Sequence, residues 1–162
     1  MEIGEHWETI RNIFEQAFPS CMHYAFATVN EKGEPNVTPI GALVLRPDRT
    51  GFYFEEYPVH LPANIEKNNR VCVLAVNANL QFWGKALTEG KFETPPAVRL
   101  YGAVGDRRPA TQEEINAFLD KLKMVKETKG YKLLWEKMKT VRDIQFDSFE
   151  PVLTGEMTRG LW

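Results

Sequence analysis

The sequence has little of what usually announces a function. Its 162 residues contain two cysteines, Cys21 and Cys72, and three histidines, His6, His23 and His60. Two cysteines are too few for a disulfide framework, and neither has a partner at metal-ligand spacing, so a reducing compartment is expected. No histidine pair has metal spacing, no glycine-rich phosphate loop is present, and no nucleophile elbow appears. Neither sign of charge dominates: 20 lysines and arginines face 22 acidic residues, a net charge of −2. That balance removes the electrostatic case for nucleic acid or a membrane surface as partner. No window reaches the ~18 apolar residues of a membrane span. The opening Met1 to His6 is acidic where a signal peptide is basic and then apolar. A cytoplasmic protein is the expectation.

What is present reads as one α+β domain over residues 1–162. Hydrophobic residues make up 43% and charged residues 26%, a balance that excludes disorder, collagen-like repeats and coiled coils. Ile3, Trp7, Ile10, Phe14 and Ala17 recur at helical steps with charged residues between them, and Pro19-Ser20 is expected to end that helix. Three strands follow: Met22 to Val29, Val37 to Leu45, and Phe52 to Phe54. They are joined by turns at Asn30 to Gly33 and Pro47 to Gly51. The prolines in Tyr57 to Pro62 argue against helix and central strand alike. Asn64 is expected to cap a short helix. Arg70 to Val76 reads as a strand buried on both faces. Residues 78–96 read as a loop or irregular strand, and Ala97 to Val104 as a further strand.

Thr111 and Glu114 match a capping box, and Ile115, Phe118, Leu119, Leu122 and Val125 supply an apolar stripe. Tyr131, Leu134, Trp135 and Met138 suggest a second short helix. One or two strands are expected within residues 143–157. A mostly antiparallel barrel or sheet with helices outside it accounts for this order. His6 reads as a surface residue, His23 as structural, Cys72 as core, and Glu113-Glu114 as parts of the cap.

Two regions carry candidate chemistry. Pro35 to Ala42 places prolines and a glycine inside a strand, which suits a bulged edge strand or a backbone lying against a flat ligand. Tyr57 to Asn64 breaks the chain before a helix start, where free amides and His60 suit an anion; an ordinary crossover loop gives the same pattern.

Phe26 to Pro39, Thr50 to Phe54, Asn64 to Val73 and Val98 to Gly102, taken in order, resemble the FMN-binding split-barrel family, the pyridoxamine 5'-phosphate oxidase-like proteins. The resemblance implies a six-stranded antiparallel split β-barrel with flanking helices, forming a homodimer with FMN in a groove at the subunit interface. It implies that Thr38, Pro39, Ile40 and Gly41 run along the isoalloxazine through their backbone. Glu55, Glu56, His60 and Asn64 would surround the phosphate, and Arg99 would lie on the following strand. Trp162 would cover the ring from the partner subunit, with Arg159 near an anionic part of the ligand, or cap the partner's core. Such a protein is a flavin oxidoreductase with a small-molecule redox partner, its chemistry carried by the cofactor.

The departures from the family pattern are specific. Thr38 and His60-Leu61-Pro62 stand where phosphate-binding relatives carry arginine or lysine, and Ala97 where a glutamine is usual. Glu55 and Glu56 would add negative charge beside a phosphate. Vitamin oxidation itself is therefore not expected. FMN held through Lys67, Arg70 or Arg99 is one expectation. The other is a non-catalytic dimeric barrel holding flavin, haem or a deazaflavin without turnover.

Overall fold

The computed structural model describes residues 1–162. Helix α1 (Ile3–Cys21) opens the chain and buries Trp7, Ile10, Phe14 and Ala17, the predicted stripe, together with Ile13 and Phe18. It runs two residues past Pro19, because a proline in the last turn sacrifices only one late hydrogen bond. Met22 then closes it in the left-handed region, φ 59°, donating its N–H to the Phe18 carbonyl. Burying side chains of this size contributes about 1.5–3 kcal/mol each.

Strands β1 (Tyr24–Val29), β2 (Pro35–Ile40), β3 (Leu43–Leu45), β4 (Thr50–Phe54), β5 (Arg70–Val76), β6 (Ala97–Pro109) and β7 (Thr140–Pro151) form one antiparallel sheet. Their order across the sheet is β2-β1-β5-β6-β7-β4-β3. There are seven strands rather than six, for a definite reason. The continuous strand expected over Val37 to Leu45 is interrupted at Gly41-Ala42, so its halves pair with different partners, β2 with β1 and β3 with β4. β2 and β3 are the two outer edges of the sheet, yet only two residues separate them. Three peptide steps span at most about 11 Å, so the sheet must curl until its edges nearly meet. A split barrel follows from that connection.

Edge position also explains the prolines. Pro35 and Pro39 sit in β2, opposite Val29 and Ala25, where a missing donor costs least. Gly41 is required by the chain's own packing: a Cβ there would lie 2.7 Å from the Met22 carbonyl oxygen. Gly102 meets the same constraint at the β6–β7 register shift, where a Cβ would lie 2.5 Å from the Gln145 carbonyl oxygen.

Four expectations are corrected elsewhere in the chain. Helix α2 (His60–Lys67) begins four residues before Asn64 and includes Pro62. Proline is tolerated in a first turn, whose amides lack helical acceptors anyway. Asn64 is therefore not a cap; its buried amide donates to the Thr28 hydroxyl at 2.9 Å and ties α2 to β1. Residues 78–96 contain helix α3 (Leu80–Glu89), capped by the Asn79 side chain, which accepts from the Gln81 and Phe82 amides. β5 is buried on one face only. Val71, Val73 and Ala75 point inward, while Cys72, Leu74 and Val76 are half-exposed, so Cys72 is no core residue. His6 is likewise not a plain surface side chain, since its ring lies 5.3 Å from that of Phe149.

Helices α4 (Gln112–Lys121) and α5 (Lys129–Leu134) stand between β6 and β7. The capping box forms as expected, with Thr111 accepting from the Glu114 amide and Glu114 accepting from the Thr111 amide. Glu114 does more than cap. It accepts from Arg108 at 2.7 Å and from Arg46 at 2.6 Å, and both arginines also reach Asp143. Hydrogen bonding from Arg108 holds the Glu114 and Asp143 carboxyls below their usual range. This four-residue network pins α4 to the sheet and so positions α5. No helix is long and apolar enough to cross a membrane.

Candidate functional site

The Gly41-Ala42 passage forms one wall of a cavity of about 370 Å³. Thr38, Pro39, Ile40, Gly41 and Ala42 line that wall, with Phe54 and Glu56 from the end of β4 beside them. The rest of the lining includes Tyr57-Pro58 together with Leu134, Trp135 and Met138 from the end of α5 and the turn after it. The Tyr57 hydroxyl lies 3.0 Å from the Leu133 and Leu134 carbonyl oxygens and donates to this pair. Those carbonyls end a short helix and lack helical donors, so one phenol both closes the helix and fixes the wall.

The cavity is a largely apolar slot whose lining combines the aromatic side chains Tyr57 and Trp135 with the strand passage from Thr38 to Ala42. Such a slot suits a planar ring, held by stacking and by main-chain groups at its polar edge. Glu56 is its one charged lining residue. That carboxylate accepts from the Lys139 and Thr140 amides at 2.8 and 2.7 Å and thereby anchors the start of β7.

The ten residues singled out from the sequence fall into two groups. Thr38, Pro39, Ile40, Gly41 and Glu56 meet at this cavity. The other five do not line it. Glu55 is turned into the protein and only 3% exposed. It accepts from Arg142 Nε at 2.9 Å and from the Tyr53 hydroxyl at 2.8 Å. Its charge is thus compensated internally, which corrects the expectation of an uncompensated carboxylate beside a phosphate. Asn64 is occupied by Thr28. His60 is exposed at the first position of α2. Arg99 is on the outer face of β6, 3.6 Å from Glu150. Trp162 packs on its own chain, 5.4 Å from Phe149 and 5.9 Å from His6, its buried indole N–H lacking an acceptor within the chain. Arg159 pairs with Glu156.

A flavin mononucleotide can be tested against these residues part by part. The ring has a fitting slot. The phosphate has no lysine or arginine among the lining side chains. The substitutes expected from the sequence are already engaged: Lys67 with Glu31 at 2.9 Å and Arg70 with Asp147. Within one chain, the ring half of the site fits and the phosphate half lacks its cation.

Sequence reasoning missed the part of the lining that follows α5. Leu134, Trp135 and Met138 read as part of a second short helix, and helical spacing could not show that they line a slot. The proline-marked break at Tyr57 did mark the place, since Tyr57 and Pro58 both line the cavity.

The comparisons with known proteins agree with this fold. No curated protein matches the chain. Among solved structures, HupZ of Group A Streptococcus superposes with a TM-score of 0.58 at 18% identity, covering 91% of this chain and 94% of that one. An FMN-binding protein from Syntrophomonas wolfei superposes with a TM-score of 0.56 at 16% identity, covering 92% and 93%. At such identities the likeness shows the fold. The family itself is shown by sequence: the model for pyridoxamine 5'-phosphate oxidase matches residues 12–125, from within α1 to the turn after α4, and this chain belongs to that family.

Proposed function

We propose that this chain is a flavoprotein, binding the isoalloxazine ring of FMN in the slot between Thr38–Ala42 and Trp135, and acting as an oxidoreductase on a small-molecule redox partner. The observation that carries this reading is the slot itself: the strand passage Thr38 to Ala42 and the aromatic side chains Tyr57 and Trp135 line one largely apolar hollow, with Glu56 as its one charged residue. FMN, when bound, supplies the electron chemistry. The chain's part is to orient the ring, to offer backbone groups from Thr38 to Gly41 to its polar rim, and to exclude water with Leu134, Trp135 and Met138.

The missing cation favours a homodimer, in which a second copy supplies what one chain lacks. Ala25, Ala27, Cys72, Leu74 and Val76 form a half-exposed apolar strip on the outer face of β1 and β5, a surface that pairing would cover. The unpartnered Trp162 indole N–H is a second incomplete feature that a partner or ligand would satisfy. A cytoplasmic location fits the two unpaired cysteines.

A second reading has its own support. The slot's one acid–base carboxylate, Glu56, is already tied through its Oε1 to two backbone amides. A dimer holding flavin, haem or a deazaflavin without turnover needs no such group. Absorbance of the purified protein, followed by titration with FMN, tests the first reading. Bound flavin that a reductant bleaches and an acceptor restores supports oxidoreduction. Bound flavin that cannot be cycled supports the carrier, and failure to bind any of the three ligands rejects both. Trp135→Ala should weaken FMN about tenfold, the order of one aromatic contact with its buried area.

A further inference from the structure

The two adjacent carboxylates after β4 have opposite surroundings. Glu55 is buried in its pair with Arg142, whereas Glu56 is half-buried and lines the slot. The chain between them is pinned to the start of β7. The Glu55 amide donates to the Thr140 carbonyl at 3.0 Å, and Glu56 Oε1 accepts from the Lys139 and Thr140 amides. Both of those bonds fall on one oxygen, and Oε2 accepts from no group of the chain. The buried polar side-chain atoms that lack a partner are Arg11 Nε and Trp162 Nε1; Oε2, also unpaired, is therefore accessible. No lysine, arginine or histidine lines the slot beside it. The Tyr57 hydroxyl, another polar group of the lining, is committed to the carbonyls of α5.

A carboxylate oxygen that is held in place in an apolar hollow, with no cation to neutralise it, favours a donor and opposes an anion. We propose that Glu56 is the specificity-determining residue of the slot. Its Oε2 accepts from an N–H on the edge of a planar heterocycle, so the slot takes rings that carry an imide or amino N–H and turns away rings whose edge is anionic. This assignment rests on the flavin reading above and adds which end of the ring the slot holds. Oxidised isoalloxazine carries its ring N–H as an imide on the pyrimidine end, and its dimethylbenzene end is apolar. Glu56 takes the pyrimidine end, and the apolar end lies among the rest of the lining. A hydrogen bond to an ionised acceptor is roughly twice as strong as a neutral one. Because two amides already fix Glu56, binding costs it little further side-chain freedom.

Equilibrium dialysis of the full-length protein against lumiflavin, and against lumiflavin methylated at its imide nitrogen, tests this role, with flavin absorbance as the readout. Lumiflavin has neither ribityl chain nor phosphate, so a cation supplied by a second copy does not enter the comparison. The methylated ring is expected to bind about tenfold or more weakly, the order of one charge-assisted hydrogen bond. Glu56→Gln keeps an oxygen for the Lys139 and Thr140 amides but puts an amide donor in place of Oε2. It should weaken lumiflavin about tenfold and leave the methylated ring unchanged within about twofold. A merely structural Glu56 would weaken both rings equally. Equal binding of the two rings by the unaltered protein, or an equal loss of both in Glu56→Gln, overturns the proposal while flavin binding stands. If neither ring binds the unaltered protein, the flavin reading falls and this role falls with it. If Glu56→Gln fails to fold, the two rings on the unaltered protein decide alone.

Discussion

Arg142 and Glu55 form an ion pair at 2.9 Å with side chains only 5% and 2% exposed. The pair is built by register. Arg142 lies opposite Tyr53 of β4 on one side and Arg107 of β6 on the other. The Tyr53 hydroxyl donates to Glu55, and burial next to that carboxylate raises the tyrosine's pKa far above its usual value. Arg142 also donates to the Gly105 carbonyl and to Glu66, so strands β4, β6 and β7 and helix α2 converge on one guanidinium.

Removing one member of this pair should be severe. Arg142→Met leaves Glu55 buried without its main partner, and a loss of about 3–5 kcal/mol is expected. The double variant with Glu55→Leu should recover part of it. Urea denaturation of both proteins checks this, and a double variant no more stable than the single one would contradict it.

The network around α4 gives stability a dependence on acid. The Glu114 and Asp143 carboxyls are held low by Arg108, so the folded state keeps them ionised where the unfolded chain begins to protonate. Their contribution is complete above the ordinary carboxylate range, about pH 5 and upward, and is lost as pH falls through the lowered folded values. Denaturation midpoints between neutral and acidic pH should fall more steeply for wild type than for Arg108→Gln. Parallel profiles would remove the network from the account.

Gly41→Ala should destabilise the fold itself. The added methyl meets the Met22 carbonyl at 2.7 Å, a backbone atom that cannot turn aside, and overpacking of this kind costs about 1–3 kcal/mol. Thermal melting without any ligand is the measurement. An unchanged midpoint would show that β2 shifts freely and that the glycine serves a ligand instead.

The tail offers a test that leaves the core alone. Deleting Gly160 to Trp162 removes an indole packed at a tilt against Phe149 and His6. If Trp162 reaches bound flavin in a dimer, flavin emission should rise and affinity should drop, because the quenching indole is gone. If it only packs on protein, the melting point should fall while flavin emission stays constant.

Much of this architecture was legible in the residues, and the failures have physical causes. The stripe of α1 and the Thr111–Glu114 box are local patterns, and both formed as read. The break at Gly41 was visible as an oddity, but its meaning required knowing that β2 and β3 lie at opposite edges of the sheet. Helix α3 was missed although Leu80, Trp83 and Leu87 recur at helical steps; the Asn79 cap was a further available sign. In the site, strand backbone could be foreseen from proline and glycine, whereas the Trp135 wall depends on packing between distant segments. The pairing of Glu55 with Arg142 joins residues 87 apart, beyond the reach of any local pattern.

The Gly41-Ala42 passage also works as a ruler. Since it joins the two edges of the curled sheet and lines the slot, its length limits how far those edges can part. Each inserted residue would allow up to about 3.6 Å more separation, without altering any strand pair. The opening is thus set by a count of residues, and the side chains around it decide only what is held there. A related chain could take a thicker ligand by lengthening this one connection, keeping its core, its register and its buried ion pair unchanged.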